Sequence, residues 1–322
     1  MQINKRLPTV AVLMATYNGE RYLHEQLDSI LAQQNVDIKI YVRDDRSVDT
    51  TVAIITEYSS HTGKVFLLDT KPVQLRVTKN FYSIVKEIDL TEIDYMCYSD
   101  QDDIWLPEKI EEAIKALQNN YAQCYASNLL RADAYGNIIR EKSILKRVIN
   151  YLFNRKSVKQ TAFDHYLESA SAGCTLLLQK DAAVFFQKRV NQIYEKLPID
   201  TSHDWSTYAI TRLGGFKWFI DKRSFIIYRQ HAENAYGANV GIAGISKLLE
   251  WFTSGRYRMH ILMIDGLFNT SDRHPAFIEV VKNYRQDSLI SRFRMAIAIS
   301  RYRRKWIHRI TLFVLIIFGY CK

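Results

Sequence analysis

The sequence has little of what marks several large classes of protein. Its 322 residues include only 12 Gly, 5 Pro and 4 Cys, which excludes collagen-like repeats, low-complexity chains and disulfide scaffolds. A GxGxxG motif after the first predicted strand and a GxxxxGK[ST] motif are both absent, so dinucleotide-binding and P-loop proteins have no support. The mostly apolar run Ile310–Phe318 spans nine residues, whereas a transmembrane helix needs about 20.

Positive charge is present, but it is distributed unevenly. The chain has 44 Lys and Arg against 34 Asp and Glu, a net charge of +10. Residues 245–322 contain 14 Lys and Arg against 5 Asp and Glu, which leaves 30 against 29 in residues 1–244. We therefore expect a nearly neutral globular body, residues 1–244, followed by a basic and mostly helical extension, residues 245–322. Charge alone leaves nucleic acid, anionic lipid and an acidic protein open as partners.

The cysteines and the N-terminus both favour a cytosolic protein. Cys97, Cys124, Cys174 and Cys321 are scattered without a CxxC motif, so reduced thiols are expected. The apolar run after Lys5 and Arg6 is short and leads directly into polar residues, which predicts a strand and not a signal peptide.

The first half of the chain alternates short apolar runs with helical patterns, which predicts an α/β fold with a largely parallel sheet. Its predicted strands are Thr9–Ala15, Asp37–Val42, Val65–Leu68 and Asp94–Tyr98. Helices are predicted at Thr50–Ser60, at Thr78–Lys86 and after Pro107. Further strands are expected at Cys124–Asn128 and Cys174–Leu178, and a strand pair at Phe216–Ile220 and Ser224–Tyr228.

Polar and acidic clusters follow three of these strands. They are Thr16–Glu20, Asp44-Asp45 and Asp100-Gln101-Asp102-Asp103. Ligands of α/β sheets bind at the carboxyl ends of strands, and closely spaced carboxylates suit a hard divalent cation such as Mg²⁺ or Mn²⁺. The alternative is an acidic loop that caps the helix after Pro107 through the helix dipole.

Three motifs together resemble family 2 glycosyltransferases, which are GT-A-fold enzymes. The motifs are Ala15–Gly19 (ATYNG), Asp44–Thr50 (DDRSVDT) and Ser99–Pro107 (SDQDDIWLP). Gly173–Thr175, His203–Trp205 and Tyr228–His231, followed by Asn234 and Gly237–Asn239, resemble the bacterial rhamnosyltransferase branch, which uses dTDP-L-rhamnose. The resemblance covers about residues 8–240. Two departures from the commoner pattern are Arg46 in place of Gly and the absence of QxxRW, and the second excludes processive synthases.

The resemblance implies a role for each cluster. Thr16, Tyr17, Asn18, Asp44 and Asp45 would bind the nucleotide, with Asp100 on the ribose and Arg229 on the diphosphate. Asp102 and His231 would hold the Mg²⁺ or Mn²⁺ ion, and Asp204 would be the base that accepts the acceptor's proton.

Several of these residues have a structural alternative. Asp44 would then shape a turn, Asp103 would cap a helix, and His203 would serve packing. Trp205 is either a sugar-stacking face or a core residue. Arg229 and His231 would simply be a polar strand end.

The expected reaction is metal-dependent transfer of rhamnose to a lipid-linked acceptor, with inversion, in the synthesis of cell-surface polysaccharide. A UDP-hexose donor is the alternative, and a catalytically silent sugar-nucleotide-binding subunit is another. Basic residues beside an apolar end are typical of segments on an anionic membrane surface. We therefore expect a cytoplasmic protein on the inner face of the membrane and no nucleic-acid partner. An oligomer interface, or packing of the extension on the body, remains open.

Overall fold

The computed structural model describes residues 6–140, 159–197, 201–231, 249–251, 253–267 and 288–318. The predicted motif residues Asn234 and Gly237–Asn239, the boundary at residue 244 and Cys321 lie outside the described residues.

The described residues form one eight-stranded mixed sheet. The strands in chain order are β1 (Thr9–Thr16), β2 (Asp37–Asp44), β3 (Val65–Leu67), β4 (Tyr95–Ser99), β5 (Ile104–Trp105), β6 (Cys124–Ala132), β7 (Leu177–Gln179) and β8 (Trp218–Arg229). Their order across the sheet is β3-β2-β1-β4-β7-β6-β8-β5. β1 pairs in parallel with β2 and β4, whereas β7 is antiparallel to both β4 and β6.

Helices cover both faces of the sheet. In chain order they are α1 (Glu20–Leu31), α2 (Thr51–Thr62), α3 (Arg76–Glu87), α4 (Lys109–Asn119), α5 (Lys180–Ile193), α6 (His203–Leu213), α7 (Arg256–Asp265), α8 (Leu289–Ile297), α9 (Ile299–Tyr302) and α10 (Trp306–Ile317).

The alternation of side chains along β1 explains its central place. Val10, Val12 and Met14 belong to one hydrophobic core with α1 and α4, and Ala11 and Leu13 belong to a second core with α3 and α6. A strand buried on both faces needs a continuous apolar run. β1 has such a run and is buried on both faces, so the first predicted strand is confirmed. Because β1 and β2 are parallel and in register from Thr9↔Asp37 to Thr16↔Asp44, their polar ends meet at one edge.

The structure corrects two predictions for the middle of the chain. In Cys174–Leu178 the first residues form a 3-10 turn, Gly173–Thr175, and only Leu177–Gln179 is a strand. The predicted strand pair is the single strand β8. Its polar centre resembles a turn in the sequence, but the Asp221 carboxylate accepts the Arg223 backbone N–H at 2.9 Å while the strand continues beside β6.

The C-terminal extension packs on the body. Tyr257, Ile261, Met295 and Leu312 belong to the same hydrophobic core as Leu13. In the described part of the chain, no helix is long and apolar enough to cross a membrane.

Two arginines of the basic extension are buried at this contact. Arg304 pairs with Glu168 at 3.0 Å and with Asp164 at 3.4 Å, and Arg303 pairs with Glu168 at 3.4 Å. Burial would raise the pKa of Glu168, but Arg304 and Arg303 lower it to about 2. The charge of both arginines is therefore used to attach the extension to the body.

Candidate active site

The ends of β1 and β2 are joined by a hydrogen-bond network around Asp44. Thr16 Oγ1 donates to Asp44 Oδ1 at 3.0 Å, and the Ser47 backbone N–H donates to Oδ2 at 2.7 Å. The Asn18 backbone N–H donates to Ser47 Oγ at 2.8 Å, and Asn18 Oδ1 accepts the Val48 N–H at 3.0 Å. Asp44 is buried, so it shapes this turn in addition to any role toward a ligand.

Asp45 and Arg46 connect the same turn to α3. Asp45 accepts the Leu75 and Arg76 backbone N–H groups at 2.6 and 2.8 Å, one on each carboxylate oxygen. Both oxygens are thus engaged at the start of a helix, where backbone N–H groups lack partners. Arg46 has φ of +71°, a conformation that Gly adopts readily. Arg46 therefore adopts a backbone conformation that a Gly at this position would adopt without strain.

Gln101 ties the β4 end to the β1 end. Its side-chain oxygen accepts the Tyr17 N–H at 2.8 Å, and its side-chain nitrogen donates to the Tyr17 carbonyl at 3.0 Å. A Cβ at Gly19 would come within 2.6 Å of this amide. The close approach explains the glycine of the ATYNG motif.

Burial disfavours the charged form of three aspartates after β4. Burial, followed by the charge of Asp102, raises the pKa of Asp100 to about 7. Burial also raises the pKa values of Asp102 and Asp103, and the neighbouring carboxylates add to the shift of Asp103. A divalent cation or a set of hydrogen-bond donors would reverse this effect. The acidic loop does not cap α4, because the cap of that helix is Glu108.

Asp102 and His231 converge across the end of the sheet. Asp102 Oδ2 and His231 Nε2 are 2.8 Å apart. The His231 ring lies against Tyr22 of α1, with centroids 4.7 Å apart. Arg229 pairs with Glu25 of α1 and places its guanidinium 4.9 Å from the same Tyr22 ring. The polar end of β8 is thus brought to the acidic cluster and is not a simple strand end.

Among the residues that the structure describes, two groups of side chains have the chemistry to hold a cation. Asp100, Asp103 and Cys174 offer ligand atoms within 4.8 Å of one another. Burial raises the pKa of the Cys174 thiol well above its usual range, and a protonated sulfur is a poor ligand for Mg²⁺ or Mn²⁺. Asp102 Oδ2 and His231 Nε2 offer an oxygen and a nitrogen, but they lie within hydrogen-bond distance of each other. A cation bound by both side chains would have to replace that hydrogen bond.

Asp204 lies in the first turn of α6, and its charge contributes to the raised pKa of Asp100. Its Oδ1 accepts the Ser202 hydroxyl and, at 2.7 Å, the Trp205 backbone N–H. His203 packs between Phe81 and Tyr98, with centroids at 4.4 and 5.2 Å. Trp205 is 3% exposed. His203 is therefore packed against aromatic side chains, and Trp205 is buried.

Sequence reasoning missed several residues of the site. Tyr22 belongs to an apolar helical spacing in the sequence, and nothing in that pattern indicates the contacts of Tyr22 with His231 or of Glu25 with Arg229. Gln101 lies inside the acidic motif after β4, and this position was the only sequence feature that pointed to its contact with Tyr17 at the end of β1.

The chain matches known proteins along most of its length. Residues 11–203 match the family described as Glycosyl transferase family 2. The dTDP-rhamnosyl transferase RfbG of Shigella flexneri is 33% identical over 305 residues, which cover 94% of this chain and 99% of RfbG. The putative glycosyltransferase EpsE of Bacillus subtilis is 28% identical over 142 residues, 44% of this chain and 49% of EpsE.

Solved structures share the fold at low sequence identity. The first 349 residues of S. aureus TarS in complex with UDP-GlcNAc match with a TM-score of 0.54 and 15% identity, over 96% of this chain and 81% of that one. The mannosyltransferase PcManGT of Pyrobaculum calidifontis, in complex with GDP-Man and Mn²⁺, matches with a TM-score of 0.52 and 11% identity, over 98% and 86%. This chain belongs to glycosyltransferase family 2 and is a glycosyltransferase with the GT-A fold.

Proposed function

We propose that this enzyme transfers L-rhamnose from dTDP-L-rhamnose, with inversion, to a lipid-linked acceptor at the cytoplasmic face of a membrane. The main support for dTDP-L-rhamnose as the donor is the match to RfbG, because the match spans 99% of that protein and also includes the extension. We also propose the division of the chain into a catalytic domain, residues 1–244, and an extension, residues 245–322.

The strand ends are proposed to bind the donor. Thr16, Tyr17, Asn18 and Asp44 bind the nucleoside, because their turn combines a carboxylate with backbone polar groups. Asp100 contacts the ribose, and Arg229 binds the diphosphate with its planar set of N–H donors. Asp45 supports this pocket through α3, since its own oxygens are engaged there.

Asp204 is proposed to act as the base. Its carboxylate accepts the proton of the acceptor hydroxyl, and the acceptor oxygen forms a bond to the anomeric carbon from the face opposite the diphosphate. The bond from that carbon to the diphosphate oxygen breaks, and its electron pair leaves with the nucleoside diphosphate. The proton remains on Asp204 until solvent removes it.

Asp102 and His231 are proposed to hold the divalent cation. When bound, this ion neutralises the charge that develops on the departing diphosphate. Tyr22 lies against the His231 ring, and Arg229 adds a fixed positive charge beside Asp102.

A donor panel tests the reaction. Thermal shift with dTDP, UDP, dTDP-L-rhamnose, UDP-galactose and UDP-glucose, each with Mn²⁺ or EDTA, should show the largest stabilisation with dTDP-L-rhamnose and Mn²⁺. Stabilisation only by UDP compounds would select the hexose alternative.

Asp204→Asn should abolish release of dTDP from dTDP-L-rhamnose while leaving dTDP affinity unchanged. Asp181→Asn, on the exposed start of α5, is the matched control and should retain wild-type turnover. Turnover by Asp204→Asn near the wild-type rate would remove Asp204 from the role of base.

We propose that an apolar face on α8 and α10 contacts the membrane surface. These two helices pack against each other. The face consists of exposed side chains on these helices, together with Phe318 directly after α10; on the helices they are Leu289, Ile290, Phe293, Ile297, Trp306, Ile310, Phe313 and Val314. Exposed arginines accompany it, Arg294 on α8 and Arg301 on α9. Apolar side chains combined with cationic ones are the pattern of helices that lie in an anionic membrane surface.

Vesicle sedimentation tests this contact. Combined substitution of Phe293, Ile297 and Ile310 by Ser should weaken binding to phosphatidylglycerol vesicles at least about tenfold. Val73→Ser with Val184→Ser removes exposed apolar side chains elsewhere and should leave binding unchanged. Unchanged vesicle binding by the triple variant would refute the proposal. If that variant also converts a dimer into a monomer, the face is an oligomer interface.

A further inference from the structure

An aromatic stack joins the extension to the residue that follows Asp204. The His260 ring of α7 lies on the Trp205 indole, with ring centroids 3.5 Å apart and planes inclined by 18°. Tyr257 meets the same indole edge-on at 5.1 Å, and Trp251 lies 6.0 Å away. Trp205 is thus enclosed by side chains that come from the extension.

His260 acts in this stack as a flat neutral surface. Burial lowers the pKa of His260 to about 3, so the imidazole is uncharged near neutral pH. Neither of its ring nitrogens has a hydrogen-bond partner among the described residues. The shape of the ring, and not its hydrogen-bonding capacity, is what the contact with Trp205 uses.

Trp205 transmits its own position to Asp204. The indole Nε1–H donates to the His165 carbonyl at 2.8 Å, and the backbone N–H donates to Asp204 Oδ1 at 2.7 Å. A shift of the indole moves the start of α6, and with it the N–H that orients the carboxylate. Displacement of a catalytic group by about 1 Å can cost on the order of a hundredfold in rate.

The segment that receives the indole hydrogen bond is also attached to the extension. Arg304 Nε lies 3.4 Å from Asp164, the residue before His165. Asp164 in turn accepts the Tyr208 hydroxyl at 2.9 Å, and Tyr208 lies one helical turn after Asp204 on α6. The extension therefore reaches the Asp204 end of α6 by two routes.

We propose that the C-terminal extension is a positioning element of the active site, which orients Asp204 through the stack of His260 on Trp205. The inference rests on the proposed role of Asp204 as base. His260 is a positioning residue and does not touch the substrate. The extension, in addition to any contact with a membrane, completes the site.

Substitutions of His260 separate positioning from general packing. His260→Leu fills the space without a flat ring, and His260→Phe retains the ring. The measured quantities are the rate of dTDP release from dTDP-L-rhamnose, KM for that donor, dTDP affinity and the thermal midpoint. If the donor panel selects a UDP-sugar, that compound replaces dTDP-L-rhamnose.

We expect His260→Leu to lower kcat on the order of tenfold, with KM and dTDP affinity within about twofold of wild type. His260→Phe should restore kcat.

Two results would overturn the proposal. One is a folded His260→Leu enzyme with wild-type kcat while Asp204→Asn is inactive. The other is an equal loss in His260→Leu and His260→Phe, which would mean that the ring shape is not what matters. By contrast, full activity of Asp204→Asn would refute the proposed role of Asp204 as the base, and it would leave the contact between His260 and Trp205 untouched.

Discussion

The buried carboxylate of Glu168 permits a quantitative prediction about the attachment of the extension. Glu168 Oε1 accepts the Arg304 backbone N–H at 2.7 Å and lies 3.0 Å from Arg304 Nε, and its side chain is only 11% exposed. Its pKa falls from 4.5 to about 2, which corresponds to about 3 kcal/mol of stability at neutral pH. Removal of one partner of a buried ion pair costs about 3–5 kcal/mol in other proteins.

Glu168→Gln should therefore lower the free energy of unfolding by about 3 kcal/mol at pH 7, measured by urea denaturation. Since the folded pKa is depressed, the contribution is present above pH 4.5 and is lost as the pH falls toward 2. The difference between wild type and variant should narrow over that interval.

Glu111→Gln is the matched control, because the Glu111–Lys115 pair lies on the surface, where ion pairs contribute little. It should leave the urea midpoint unchanged. A Glu168→Gln protein as stable as wild type at pH 7 would show that the two arginines do not attach the extension electrostatically.

Two further substitutions test the site. Gly173→Ala should lower the thermal midpoint and kcat together, because a Cβ there would overlap the His203 ring; wild-type values for both would contradict the packing described. Asp45→Asn should destabilise the fold by about 1 kcal/mol, the usual cost of a lost helix cap, with dTDP affinity unchanged. A large loss of dTDP affinity in calorimetry would instead place Asp45 in contact with the nucleotide.

Much of the site-bearing half of the fold was predictable from local patterns. β1, β2 and β4 are short apolar runs buried between helices, and such runs are recognisable without tertiary information. Their polar ends meet because parallel strands in register finish at one edge. The carboxylates Asp44 and Asp102 could therefore be predicted to lie at that edge of the sheet.

The errors come from long-range contacts. The polar centre of β8 resembles a turn, but pairing with β6 keeps it extended. Arg303 and Arg304 counted as surface charge in the sequence, whereas Asp164 and Glu168, more than 130 positions earlier, bury them. No local pattern indicates such partners.

The contact between Gly173 and His203 changes what the sequence motifs around them can tell. His203 occupies the space that any larger residue at position 173 would need, so the two positions are not independent. In related sequences, a side chain at position 173 should appear together with a smaller residue at position 203. The GCT and HDW motifs each suggest the rhamnosyltransferase branch. Because Gly173 and His203 constrain each other, the two motifs are not fully independent evidence for it.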